Sequence, residues 1–174
     1  MALRSCTRSS VARSSRSGVA RPRSACVARV LRSSTEPHIQ MGTAKLPGDI
    51  NQAAFAEYMY QWAATLTQSG ANFPFILPVK ADKYATGWKI SLLKKMPEGN
   101  FDAAGVIQGT VEEVSGAGPV CMIRFFEGPA GMVDRRTAAP SDPQQRLNII
   151  IESLPDVDTI MSTMPVALRN GVAK

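Results

Sequence analysis

Residues 105–127 read GVIQGTVEEVSGAGPVCMIRFFE, and the parsing of this stretch decides the fold. Gly105–Val114 and Pro119–Glu127 have strand composition, and Ser115-Gly-Ala-Gly118 between them is a turn. The pair therefore predicts an antiparallel hairpin. Its second strand carries Phe125 beside Phe126, and neighbours in a strand face opposite sides. Val120 and Met122 alternate in step with Phe126, so both faces of the sheet carry apolar side chains.

Upstream the same pattern recurs. Trp88–Leu92 alternates after a turn at Thr86-Gly87, and Met96–Asn100 forms the loop that follows. Phe75–Tyr84 (FILPVKADKY) is a further strand, and Pro78 assigns it to a sheet edge because proline cannot donate to the ladder. Short strands joined by glycine-bearing turns predict a meander. Before it, Asp49-Ile-Asn-Gln52 has capping-box form, and Phe55, Met59, Trp62 and Leu66 follow at helical spacing, broadened by Tyr58 and Ala63. Gly70 supplies the stop. Met41–Pro47 reads as a first short strand.

Downstream, residues 128–142 are a loop by composition, and Asp142-Pro143 opens a second helix with proline at its first position. Leu147, Ile150, Ile151 and Leu154 form its apolar stripe; Pro155 breaks it, and Val157, Ile160, Met161 and Met164 predict a short third helix before a frayed tail. Amphipathic helices need an apolar partner, and one face of an antiparallel sheet supplies it. The expected fold is α+β: a two-layer sandwich with a four- to five-stranded, mainly antiparallel sheet and two or three helices on one face. It forms a single domain over residues 35–174.

The 174-residue chain carries a formal charge of +6, but the charge is uneven. Residues 1–34 hold eight Arg and nine Ser with no Lys, Asp or Glu, which leaves the remainder at −2. An acid-free, Arg- and Ser-rich leader without a long apolar run has the composition of an organelle transit peptide. The expectation is a disordered segment that is cleaved, with Cys26-Val27-Ala28 resembling an algal plastid processing site. The abundant Ser and Pro22 favour the chloroplast stroma over the mitochondrion. Nucleic acid is not expected as a partner, since the basic arm has no aromatic residue to stack on bases. No apolar run reaches about 18 residues, so no membrane span is expected, though peripheral association through basic residues is compatible.

Removing the leader leaves Cys121 as the only cysteine and His38 as the only histidine. That inventory excludes an intrachain disulfide, the usual zinc site and a Ser-His or Cys-His nucleophile pair. No cofactor, metal or catalytic residue is expected, and an enzyme is the less favoured class.

Gly42-Thr-Ala-Lys-Leu-Pro47, Gln61-Trp62-Ala63, Gly70-Ala-Asn72 and Leu77-Pro-Val-Lys-Ala-Asp-Lys83 resemble a family of plastid-targeted proteins of plants and green algae, of unknown function. The resemblance covers residues 41–95 best, with an echo at Ile123-Arg124 and Gly128-Pro129. It implies a plastid location and one small domain, and carries over no catalytic residue.

Three places merit a functional reading. Phe126, Met122 and Arg124 lie on the strand side away from Phe125 and suggest an uncovered face for a plastid protein partner or a homodimer; cover by the C-terminal segment is the alternative. Lys80 and Asp82 share a side of their strand, with Lys89 across the hairpin, giving a basic stripe that suits an acidic protein or a lipid head group; the ordinary reading is lysines that discourage edge pairing. Arg135 and Arg136, ahead of the helix at Pro143, suggest a clamp for an anionic metabolite, against an ordinary solvated loop. Glu112 and Glu113 point to opposite sides and form no carboxylate pair, and Cys121 reads as buried. The favoured function is a non-catalytic stromal accessory or assembly factor acting through protein–protein binding. The alternative is an anionic-metabolite binding protein or modest enzyme using the loop 128–142.

Overall fold

Five strands and three helices follow one another in the computed structural model, which describes residues 35–67, 78–84, 86–131, 141–154 and 156–173. They are β1 (His38–Lys45), α1 (Gln52–Thr65), β2 (Val79–Tyr84), β3 (Gly87–Lys95), β4 (Phe101–Val114), β5 (Gly118–Glu127), α2 (Pro143–Glu152) and α3 (Asp156–Val172). The sheet order is β1-β5-β4-β3-β2, with every neighbouring pair antiparallel. The meander β2–β5 needs only short turns. At the β4–β5 turn, Gly116 and Gly118 adopt φ of 82° and 77°, a region that residues with a Cβ seldom enter. α1 carries the chain from β1 at one edge to β2 at the other.

One face of the sheet meets all three helices. Trp88, Ile90, Leu92, Ile107, Val111, Cys121, Ile123 and Phe125 form a single buried cluster with Phe55 and Met59 of α1, Leu147 and Ile150 of α2, and Ile160 and Met164 of α3. The result is the two-layer α+β sandwich that the alternation and the helical stripes implied. Glycines on β4 shape its centre. A Cβ on Gly109 would fall 2.2 Å from Trp88 Cζ2, and one on Gly105 would fall 2.3 Å from Phe125 Cζ. Each bare backbone position is the floor on which an aromatic ring from the adjoining strand lies. The Trp88 ring then meets Phe55 edge-on, 6.2 Å between centroids at 75°.

Several boundaries differ from the sequence reading, each for a local reason. The cap of α1 is Asn51, whose Oδ1 accepts from the amides of Ala53 and Ala54, both at 3.1 Å, so Asp49 is not the cap. The capping box does not form: Gln52 donates instead to Glu113 Oε1 of β4 at 2.9 Å. β1 starts earlier than Met41, at His38, because pairing with β5 extends to Phe126. The third helix is not short. α3 runs for 17 residues straight through Pro165, which lies on its exposed side, and ends at Val172 rather than fraying early. Val157, Ile160, Met164 and Leu168 keep that helix anchored on both sides of the proline. Asp142 does cap α2, accepting from the Gln144 amide at 3.1 Å, with Pro143 in the first turn. The strand start at Phe75 and the stop at Gly70 lie outside the described residues.

Cys121 is completely buried in this core, and burial, with the Glu112 carboxylate a smaller influence, pushes its thiol up to about 12. A raised folded-state value gives stability that is fully present below the unfolded thiol's value near 8.5 and is lost as pH rises toward the folded one. Chemical denaturation is therefore expected to show stability falling between about pH 8.5 and 12 at up to about 1.4 kcal/mol per pH unit from this group. Cys121→Ala should make that fall shallower. An unchanged alkaline slope in the variant would disprove the assignment.

Candidate functional site: the helix-free face of the sheet

The other face of the sheet, on which none of the described helices packs, has a different chemistry, and its central residues Gln108, Thr110, Arg124 and Phe126 are buried. Strand register places Asp82 opposite Lys89, Lys89 opposite Gln108, Gln108 opposite Arg124 and Arg124 opposite Gln40. One row of polar side chains therefore crosses all five strands. On one side of it lies the row Lys80, Ser91, Val106, Phe126 and His38; on the other lie Tyr84, Gly87, Thr110, Met122 and Thr43. Val106, Val120 and Phe126 take no part in the helical core cluster.

The polar row is organised as two charge groups. At the β2 edge, the buried Asp82 carboxylate lies 3.7 Å from Lys80 Nζ and 3.8 Å from Lys89 Nζ, and Lys89 also lies 5.8 Å from the centre of the Tyr84 ring. At the centre, Arg124 lies along β4. It donates to Glu112 Oε1 at 2.5 Å and Oε2 at 3.0 Å, and to Thr110 Oγ1 at 3.1 Å, while Thr110 donates onward to Glu112 at 2.9 Å. A guanidinium held by both carboxylate oxygens is the strong form of this pair. Arg124 and Thr110 together hold the Glu112 carboxyl below the usual carboxylate range, against an opposing contribution from partial burial. A depressed folded-state value contributes stability that is present above the unfolded Glu value near 4.3 and is lost as pH falls through the lower folded one. Acid titration of stability below about pH 4 should accordingly be less steep in Glu112→Gln than in the unaltered chain. Equal slopes would show that the pair adds nothing.

The five residues singled out as partner contacts, Lys80, Lys89, Met122, Arg124 and Phe126, all fall on this one face. Their exposure is not uniform. Phe126 is 0% exposed, its ring 5.4 Å from that of His38, and Arg124 is 7% exposed. The expectation of an open apolar patch centred on Phe126 is thus corrected: Phe126 and Arg124 are floor residues, and Lys80, Lys89 and Met122 are the accessible ones. Cover by the C-terminal segment is corrected too, because Ile160 and Met164 of α3 pack into the opposite face. Glu113 points away from Glu112, toward α1. Lys83 likewise leaves the polar row and pairs with Glu57 of α1.

Arg135 and Arg136 lie outside the described residues. Where the chain leaves β5 there is a cavity of about 500 Å³, lined by Glu36, Glu127, Pro143 and Arg146 among others. Arg146, overlooked in the sequence, donates to Glu127 at 2.6 Å. The two acids outnumber the one base there. Gln108 and Thr110 were also overlooked, because only the pairing of β3, β4 and β5 aligns them with Lys89 and Arg124. Among the described residues, no group of three or more His, Cys, Asp or Glu side chains is placed to hold a metal ion, and no helix is long and apolar enough to cross a membrane.

The architecture defines a small α+β sandwich whose sheet has one apolar face packed by the three helices and a second face on which a polar row runs between apolar side chains. The chain belongs to the family described as a domain of unknown function, DUF7148, whose model matches residues 35–174. Comparison with curated proteins and with solved structures finds no match.

Proposed function

We propose that this protein is a non-catalytic accessory or assembly factor of the plastid stroma, which engages another protein across the helix-free face of its sheet. The observation that carries this reading is the polar row Asp82–Lys89–Gln108–Arg124–Gln40. Paired charges held in a protein are commonly no more stabilising than apolar residues of the same volume. A sheet that keeps such a row across its middle is built for something besides stability. Arg124 is neutralised internally by Glu112, which suits a surface that accepts polar protein groups better than one that clamps a free anion. Lys80, Lys89, Met122, Gln40 and Thr43 form the accessible contacts around the Arg124 and Phe126 floor. The Arg- and Ser-rich leader, residues 1–34, serves as the plastid address.

Affinity capture from isolated plastids with the full chain, beside Lys80→Glu/Lys89→Glu and Met122→Asp, tests the reading. A specific partner should be lost in both variants while their melting temperatures stay close to that of the unaltered chain. Retention of every partner by both variants would refute it. Stabilisation by phosphorylated metabolites that is lost in Arg135→Ala/Arg136→Ala would instead favour an anionic-metabolite binder, a reading that the cavity beside Arg146 does not support, since Glu36 and Glu127 line it as well.

A further inference from the structure

The two edges of the sheet are not alike. β2 follows Pro78 and carries Lys80 and Lys83 beside the buried charge of Asp82, all features that discourage pairing with a further strand. β1 carries none of them. From His38 to Ala44 it has no proline and no Lys, Arg, Asp or Glu, and among the described residues no strand pairs with its outer side.

Alternation of the ladder fixes which β1 groups turn outward. The Leu46 amide donates to the Pro119 carbonyl at 2.9 Å, so Leu46, and with it Ala44 and Gly42, bonds inward to β5. Thr43 and Lys45 therefore turn their N–H and C=O groups away from the sheet. At the far end of β5 the Gly128 amide donates to the Ala104 carbonyl at 2.9 Å, which gives Phe126 and Arg124 to β4 and leaves Phe125 to bond with Ile39 of β1. His38 and Gln40 then turn outward, and the His38 carbonyl accepts from Gln144 Nε2 at 3.2 Å. The register shift between Gln40 and Gly42 joins the two halves. The outward set is thus His38, Gln40, Thr43 and Lys45, whose spacing reads the same from either end.

We propose that β1 pairs antiparallel with β1 of a second copy of this chain, joining two sheets edge to edge. A two-fold axis perpendicular to the sheet sets Gln40 of each copy opposite Thr43 of the other and Lys45 opposite His38, so outward groups meet outward groups. The strand is amphipathic in a way that suits its own copy. Ile39, Met41 and Ala44 lean on the helix-packed core, while Gln40, Thr43 and Lys45 are exposed. The axis matches apolar side chains with apolar and polar with polar. Charge agrees: exposed Glu36 precedes the strand and exposed Lys45 ends it. Antiparallel pairing brings each Lys45 within diagonal reach of the other copy's Glu36, whereas parallel pairing sets like charges together. An eight-residue edge is small beside the roughly 1,200 Å² or more of a stable interface, so this dimer is weak and concentration-dependent. It leaves the helix-free face open and stands whether or not that face meets a partner.

Sedimentation equilibrium of the full chain, with amide hydrogen exchange at the lowest and highest concentrations, tests the pairing. The weight-average mass should rise toward twice that of one chain, and the Gln40 and Thr43 amides should gain protection in step. Thr43→Pro removes an outward N–H, and Gln40→Lys/Thr43→Lys sets lysines opposite one another at exposed positions. Each should weaken association at least about ten-fold. The lysine variant should keep the melting temperature of the dilute, unaltered chain. A monomer at every concentration overturns the proposal, and so does a dimer equally strong in both variants. Protection of Gln40 and Thr43 already complete in the dilute chain overturns it too, by showing the edge covered from within. Protection that appears only on adding plastid extract, with the chain still monomeric, assigns the edge to a foreign strand and overturns the second copy.

Discussion

Trp88→Ala is expected to destabilise the protein by about 3–5 kcal/mol, the usual cost of deleting a large buried aromatic side chain. Against a typical domain stability of about 5–15 kcal/mol, that leaves the variant near the edge of folding. The cost is set by position: Trp88 is completely buried, edge-on to Phe55, with Gly109 as its floor. The floor gives the converse experiment. Gly109→Ala places a methyl group 2.2 Å from Trp88 Cζ2, so the ring or the strand must shift, at a cost of about 1–3 kcal/mol for overpacking. The two changes must then be strongly non-additive. With the ring gone, the methyl has room, so Gly109→Ala should be nearly neutral, or helpful, in the Trp88→Ala background. Urea denaturation of the four members of the cycle measures this coupling. Additive effects would mean that the ring does not lie on Gly109.

The second large effect concerns Glu112 and Arg124. Glu112→Ala leaves the Arg124 guanidinium, whose side chain is 9% exposed, bonded to Thr110 Oγ1 but deprived of its carboxylate partner. Removing one partner of a buried pair costs about 3–5 kcal/mol, and the lower end applies because the Glu112 side chain is itself 40% exposed. Replacing both partners by apolar residues is a different matter. Glu112→Leu/Arg124→Met removes the uncompensated charge together with its partner, and should be more stable than Glu112→Ala alone. Thermal or urea denaturation of the three chains checks the order. The double variant should also be deficient in partner capture, which separates what the pair does for binding from what it does for folding.

Much of the fold was legible because it is written in local patterns. The alternation in Trp88–Leu92 and the turn at Ser115–Gly118 fix the meander, and Asp142-Pro143 marks the start of α2. The errors were local competitions. Asp49 and Asn51 are both good caps two residues apart, and the choice fell to Asn51 when Gln52 turned to Glu113 of β4. Pro155 interrupted the apolar stripe and a frayed tail was expected after Met164, so the third helix looked short, yet burial of Ile160, Met164 and Leu168 sustains α3 through Pro165.

The candidate site was legible only in part. Alternation along single strands placed Lys80 with Asp82 and Met122 with Phe126. It does not give the register between strands, so it could not align Asp82, Lys89, Gln108, Arg124 and Gln40 in one row. Nor does it show that Arg124 would reach along the sheet to a Glu twelve residues earlier. Phe126 looked exposed because the helices were assigned to the other face, yet it is completely buried, with its ring 5.4 Å from that of His38.

The claim on which the functional account depends is that partners meet the helix-free face of the sheet. Site-specific photocrosslinking addresses it most directly, with benzoylphenylalanine placed at Met122 on that face and, as the control, at Ile149, an exposed apolar position on α2. Full-length protein irradiated in plastid extract should form a discrete crosslinked species from position 122 and none from position 149. Crosslinks from position 149 alone, with position 122 silent, would contradict the account.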